Sequence, residues 1–236
     1  MYHYAGNNPV KYTDPDGRIS GYLNDSEAVG GAGHSAMFVE TYDSNGKSTG
    51  FELYEVGTVR QDGDKWVGVG PDGNNIPGTI ALSHNKLDGK MGIAAGSVAG
   101  SLLGSAGSGV LSAAGSGSAT SAAGGATIES LDSAAGVFVR KYGSYEEMMN
   151  ASENKRYDFA ISFNTNQGQD QKIRAEALST GYNFGKYNLF TNNCSQHASR
   201  ALAAGGVHTT SNPVPNLARD YILNNGGNSY VRRSWR

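Results

Sequence analysis

The sequence predicts an α+β fold in which antiparallel strands come first and a cysteine-bearing helix comes late. Three stretches of the 236 residues carry that expectation. Residues 34–42, HSAMFVETY, and residues 51–56 alternate as strands around an Asp43-Ser44-Asn45-Gly46 turn, which makes a hairpin. Residues 137–179 read in turn as strand, short helix, strand and helix. Residues 191–206, TNNCSQHASRALAAGG, set N-cap residue types before a run of good helix formers and two glycines after it.

Composition narrows what such a chain does. Only 38% of residues are apolar and 34 are glycine, so one compact domain with irregular segments is expected. Nineteen basic against 21 acidic side chains leave a net charge of −2, which provides no electrostatic footprint for nucleic acid. Arg232, Arg233 and Arg236 are too few to change that, and a nuclease is disfavoured. A single cysteine excludes an internal disulfide and a cysteine-based zinc cluster, and the five histidines lack HExxH spacing. No metal or cofactor is expected. The first residues contain no basic-plus-apolar signal segment, so export is expected to depend on another component.

Along the chain, residues 1–17 (MYHYAGNNPVKYTDPDG) are dense in turn signals, and 19–33 read as a glycine-punctuated lead-in. In the hairpin, alternation sets His34, Ala36, Phe38 and Glu40 on one half-apolar face, with Ser35, Met37, Val39 and Thr41 on the other. Residues 61–77 are rich in Gly, Asp and Asn, with short strands expected at 66–69 and 80–82. Asp62, Asp64 and Asp72 lack the EF-hand pattern and read as solvated turns. No charge occurs between Lys90 and Glu129, and Gly92, Gly96, Gly100 and Gly104 recur every fourth residue. This stretch reads as a flexible Gly/Ala/Ser insertion at about 90–136, with membrane contact during delivery as the alternative. Strands are expected at 137–140 and 157–163, and helices at 145–150, 169–179 (capped by Thr165 or Asn166) and 216–223. The tail after Gly227 is expected to fray.

Cys194 lies in the first turn of its helix. Unpaired N–H groups and the positive end of the helix dipole there favour a thiolate and leave donors for an oxyanion. A thiol nucleophile also needs a base and an orienting group. His197 is on the same helix and His208 just past its end, so the base must come from upstream. His3 and His84 lie in turn-rich segments, which leaves His34 at its strand start. The order is therefore strands first and nucleophile last, a circular permutation of the papain arrangement. On the adjacent strand Glu55, Glu52 and Tyr54 are polar, with Glu55 nearest the position facing His34.

Two resemblances sharpen these expectations. The segment YxYxxNNPVxYxDPDG resembles the closing segment of the Rhs (YD-repeat) core, with Pro9, Asp14, Pro15 and Gly17 matching the family's P-x4-D-P-x-G junction. It implies a division into 1–17, the end of the shell, and 18–236, a toxin effector delivered by a secretion apparatus into a target cell. The enclosing Rhs shell and a cognate immunity protein are then the implied partners. Arg18 stands where the family has an apolar residue after the cleaved junction. The pairing of GHSAMFVE with a late NNCxQxA helix resembles the permuted branch of NlpC-type papain-fold hydrolases, a group that includes lecithin:retinol acyltransferase-like enzymes. That likeness implies Cys194 as nucleophile and His34 as base, and draws the third residue from the adjacent strand. The acyltransferase branch has a histidine in that strand and a Glu-His after its cysteine. This chain has neither, which favours a peptide or peptidoglycan amide over a lipid ester. Acyl transfer or deamidation by the same residues, a membrane-perturbing toxin acting through the Gly-zipper stretch, and a binding tip without chemistry are the competing readings.

Overall fold

The computed structural model describes residues 19–86, 133–225 and 229–232. The Rhs-like segment, the junction after Gly17 and most of the Gly/Ala/Ser stretch lie outside the described residues, but 133–136, expected in that insertion, form the start of a strand. Among the described residues the fold is mixed α+β, with one antiparallel sheet, four helices of six residues or more and a single helical turn at Ala28–Gly31. The strands are β1 (Ile19–Asp25), β2 (His34–Tyr42), β3 (Ser48–Asp62), β4 (Lys65–Gly68), β5 (Ile80–Ala81), β6 (Asn85–Lys86), β7 (Ser133–Tyr142), β8 (Phe159–Asn164) and β9 (Ser229–Arg232). Their order is β5-β7-β3-β2-β1-β8-β9, with β4 beside β3 and β6 beside β7. The helices are α1 (Tyr145–Asn150), α2 (Gln167–Tyr182), α3 (Cys194–Ala204) and α4 (Pro215–Asn225).

Most elements form where local chemistry expects them. Asn166 caps α2 through a capping box with Gln169, whereas Thr165 is used otherwise: its Oγ1 donates to Asp170 Oδ1 at 2.5 Å. Asn193 caps α3 through Gln196 N–H at 3.1 Å, and Gly206 adopts φ 86° beyond its end. Two elements differ from expectation. The lead-in contains β1, which lies between β2 and β8 in the middle of the sheet. Gly21 reads as loop punctuation, yet it is there because a Cβ would stand 2.2 Å from the Phe38 ring. The tail does not simply fray, since 229–232 pair with β8 as an edge strand.

The sheet is covered on both faces, so β2 is buried on both sides rather than half-exposed. One face carries Tyr22, Met37, Val39, Tyr54, Val56, Val137, Val139 and Ile161 under α2, α3 and α4, with Ile173, Ala177, Ala198, Ala201 and Leu202 from the first two helices. The other carries Leu23, Ala36, Phe38, Phe51 and Leu53 against Met148 and Met149 of α1 and Tyr157. Each large apolar side chain so buried contributes roughly 1.5–3 kcal/mol. Among the described residues, no helix is long and apolar enough to cross a membrane.

Asp170, fully buried in the first turn of α2, ties that helix to the sheet by accepting from Ser20 Oγ at 2.7 Å, Thr165 Oγ1 at 2.5 Å and Tyr42 Oη at 2.6 Å. Asp170→Ala leaves the buried hydroxyls of Ser20 and Thr165 without this acceptor, whereas Tyr42 keeps Glu40 Oε2 at 3.0 Å. The variant's unfolding free energy in urea should fall by about 2–4 kcal/mol.

Candidate active site

Gly33 sets the start of β2. It has φ 90°, and a Cβ there would stand 2.3 Å from Asn216 Oδ1. Asn216, near the start of α4, donates to the carbonyls of Ser26 and Gly31 at 3.0 and 2.7 Å, so the last helix braces the turn that delivers His34. The His34 main-chain carbonyl accepts from Asn24 Nδ2 at 3.2 Å.

The His34 ring is buried. Its Nε2 lies 3.2 Å from Glu55 Oε1, and its plane stacks on Tyr157 at 6.3 Å between centroids. Glu55 pairs with Ala36 in the β2–β3 ladder, so it reaches His34 on the diagonal, as neighbours on one sheet face do. Two arginines hold the carboxylate from behind: Arg140 Nη2 donates to Oε2 at 3.1 Å, and Arg156 Nη2 donates to Oε1. Arg156 also donates to Tyr157 Oη at 3.0 Å. Burial alone would raise the Glu55 carboxyl. Arg156, the His34 hydrogen bond and Arg140 reverse that and hold it well below the usual carboxylate range.

Cys194 approaches from the opposite face of the sheet. It sits at the start of α3, level with the start of β2, where the His34 side chain and the backbone N–H groups of Ser35 and Ser195 lie close enough to stabilise a thiolate by charge and hydrogen bonding. With Nε2 engaged by Glu55, Nδ1 is the imidazole nitrogen left for sulfur. Burial would raise the thiol, but the His34 charge and these hydrogen bonds lower it from its ordinary value. His34 moves the other way. Burial opposes its charge, yet the thiolate and Glu55 raise it to about 9. Both shifts favour a thiolate–imidazolium pair, whose imidazolium is lost as the pH rises through about 9.

The Asn193 cap takes the Gln196 N–H, and Cys194's own N–H has no carbonyl four residues earlier within the helix. It is a donor suited to a developing oxyanion. Beneath the site, Tyr22 Oη meets Ser35 Oγ and donates to Pro215 O at 3.3 Å.

The structure thus brings Cys194, His34 and Glu55 together. Glu52 and Tyr54 point to the opposite face, because side chains alternate along β3. Tyr54 Oη donates to Glu52 Oε2 at 2.5 Å, and Arg174 holds Glu52 at 2.7 and 3.0 Å. A cavity of about 440 Å³ lined by Glu40, Tyr42, Glu52, Lys141 and Arg174 lies at that far end of the hairpin, away from the thiol. His84 stacks on Trp66 at 4.2 Å, and His197 is buried against Ala177 O and pushed down to about 4 by burial.

Sequence reasoning passed over Arg140, Arg156, Tyr157, Ser35 and Tyr22. An arginine between Val139 and Lys141 in an apolar strand was the one available signal, since a buried guanidinium needs a buried acid. Among the described residues, no group of three or more His, Cys, Asp or Glu side chains is arranged to hold a metal ion. Comparison of the chain with family models, with curated proteins and with solved structures finds no match.

Iodoacetamide should alkylate Cys194 rapidly at pH about 6, where an ordinary thiol with a pKa near 8.5 is protonated. His34→Ala should slow that reaction at least about tenfold and move its pH midpoint upward, by loss of the imidazolium. His84→Ala should leave the profile unchanged.

Proposed function

We propose that this chain is an Rhs-associated toxin effector whose α+β domain, a circularly permuted papain-like fold of the NlpC type, hydrolyses an amide bond through an acyl-thioester on Cys194. The observation that carries the chemistry is a buried imidazole whose Nε2 meets a buried carboxylate at 3.2 Å and which lies close enough to the thiol at a helix N-terminus to favour its thiolate. The Pro9–Gly17 junction motif supports the delivery reading, and strands preceding the cysteine helix support the permuted one.

In the reaction, the Cys194 thiolate adds to the amide carbonyl carbon and forms the C–S bond. The oxygen takes up the negative charge beside the Cys194 N–H. The His34 imidazolium passes its proton to the amine nitrogen as the C–N bond breaks, so the amine leaves neutral. Water then adds to the thioester carbonyl while His34 accepts its proton, and the thiolate leaves to restore the pair. Glu55 keeps the imidazole oriented and exchanges no proton. An amide or peptide bond, including one in peptidoglycan, is the substrate class, because the histidine and Glu-His features of the lipid-acting branch are missing.

Expression of residues 18–236 in the bacterial cytoplasm and, separately, in the periplasm tests this. The wild type should arrest growth in one of the two compartments, and Cys194→Ala should be harmless in both. Equal arrest by both proteins would replace the hydrolase with a membrane-perturbing toxin.

Once a substrate is identified, kcat/KM should fall with an apparent pKa near about 9 on the alkaline side, where His34 loses the proton it must donate. Glu55→Gln should lower kcat by about 10-fold to 100-fold and, by leaving Arg140 and Arg156 without their buried counter-charge, should lower the unfolding free energy by about 3–5 kcal/mol.

A further inference from the structure

The turn that leads into the nucleophile is built to hold two apolar side chains in water. Asn188 and Asn192 close it with reciprocal N–H to carbonyl bonds of 2.9 Å. Asn188 Oδ1 accepts from the backbone N–H groups of Phe190 and Thr191 at 2.9 and 3.0 Å. The two carbonyls at the tip are held by the first turn of α3 and its cap: Leu189 O by Asn193 Nδ2 at 2.5 Å, and Phe190 O by Gln196 Nε2 at 2.9 Å. Arg200 Nη2 binds Asn192 Oδ1 at 2.9 Å, and Asn192 Nδ2 donates to Lys186 O at 3.0 Å. With the backbone so fully bonded, the side chains of Leu189 and Phe190 remain 48% and 62% exposed.

A connecting turn gains nothing from leaving a leucine and a phenylalanine in water, because apolar exposure is unfavourable and neither side chain supports the core. A rigid backbone presenting apolar groups is what recognition requires, since little conformational freedom remains to be lost on binding. The location is specific. Asn193 precedes the nucleophile directly, and its amide bridges Leu189 O to Pro213 O at 2.9 Å, which leads into α4. Leu217 and Tyr221 of α4 are exposed as well, so four of the six large exposed apolar side chains among the described residues lie on the two segments joined at Asn193. Tyr187, at the base of the turn, is close enough to the thiol for burial and the thiolate together to raise its phenol.

Resting on the hydrolase reading above, we infer that Leu189 and Phe190 are specificity residues that grip a large apolar side chain of a peptide substrate, adjacent to the scissile carbonyl. A peptide fits better than a bilayer surface. The apolar tip is only two residues wide and is flanked by Asn188, Thr191 and Asn192, which matches one side chain rather than a plane of lipid.

The test uses the full 236-residue chain and reads inactivation of Cys194 by acetyl-phenylalanyl, acetyl-leucyl and acetyl-glycyl chloromethyl ketones, each normalised to the iodoacetamide rate. The wild type should react at least about tenfold faster with the phenylalanyl and leucyl reagents than with the glycyl one. In the Leu189→Ser/Phe190→Ser double variant, that preference should shrink to within about twofold while the iodoacetamide rate stays the same. Equal normalised rates in the wild type, or a preference that survives in the double variant, overturns the inference while leaving the hydrolase reading in place. Slow iodoacetamide reaction of the wild type at pH 6 removes both. Sedimentation with phosphatidylglycerol/phosphatidylethanolamine vesicles that is lost in the double variant, without any reagent preference in the wild type, reassigns the tip to membrane contact and overturns the peptide.

Discussion

The buried carboxylate of Glu55 is the constraint on which the rest of the structure depends. An ion removed from water costs several kcal/mol, and the cost is offset only when opposite charges and hydrogen-bond donors surround it. Here Arg140 from β7, Arg156 from the segment before β8 and His34 from β2 all converge on one acid of β3. Each must be in register for the others to be tolerated, because deleting a partner strands a charge at about 3–5 kcal/mol. Arg140 is only partly satisfied in this arrangement. Its Nε and Nη1 have no hydrogen-bond partner, and Nη1 meets Glu153 only as an ion pair at 3.4 Å.

The same cluster divides the site across the sheet. Glu55, both arginines and Tyr157 occupy one face, while α3 with Cys194 packs on the other, and the two halves meet only where β2 begins. His34 can serve both because it is the first residue of its strand. Two residues further along, the strand itself would separate a side chain from the helix. This position sets the electrostatics. One imidazole stands between two anions, the Glu55 carboxylate and the Cys194 thiolate, and is raised in spite of complete burial. Since the arginines already compensate much of the Glu55 charge, the thiolate is the stronger of the two influences on the ring.

Asn193 plays a comparable part in hydrogen bonding. Its Oδ1 caps α3, and its Nδ2 fastens the preceding turn and the segment before α4, so one side chain adjacent to Cys194 orders three pieces of backbone. Rigidity at that point suits the proposed catalytic role of the thiol, since a reacting group has to be held in geometry before substrate arrives.

What the sequence by itself determined is what short-range forces determine. The hairpin at 34–56, α1 at 145–150, the Asn166 and Asn193 caps and the place of Cys194 in the first turn of its helix follow from alternation, turn chemistry and capping, which act within a few residues. The central position of β1 did not follow, because Gly21 is a breaker locally and becomes a requirement only when the Phe38 ring packs over it. Alternation separates Glu55 from Glu52 and says that they lie on opposite faces. Only the tertiary structure decides which face meets His34, since that depends on the β2–β3 register, which pairs Ala36 with Glu55. Arg140 and Arg156, 85 and 101 residues from Glu55 in the chain, were beyond any local pattern. The partners of a buried charge are chosen by which strands become neighbours, and that is settled when the sheet assembles.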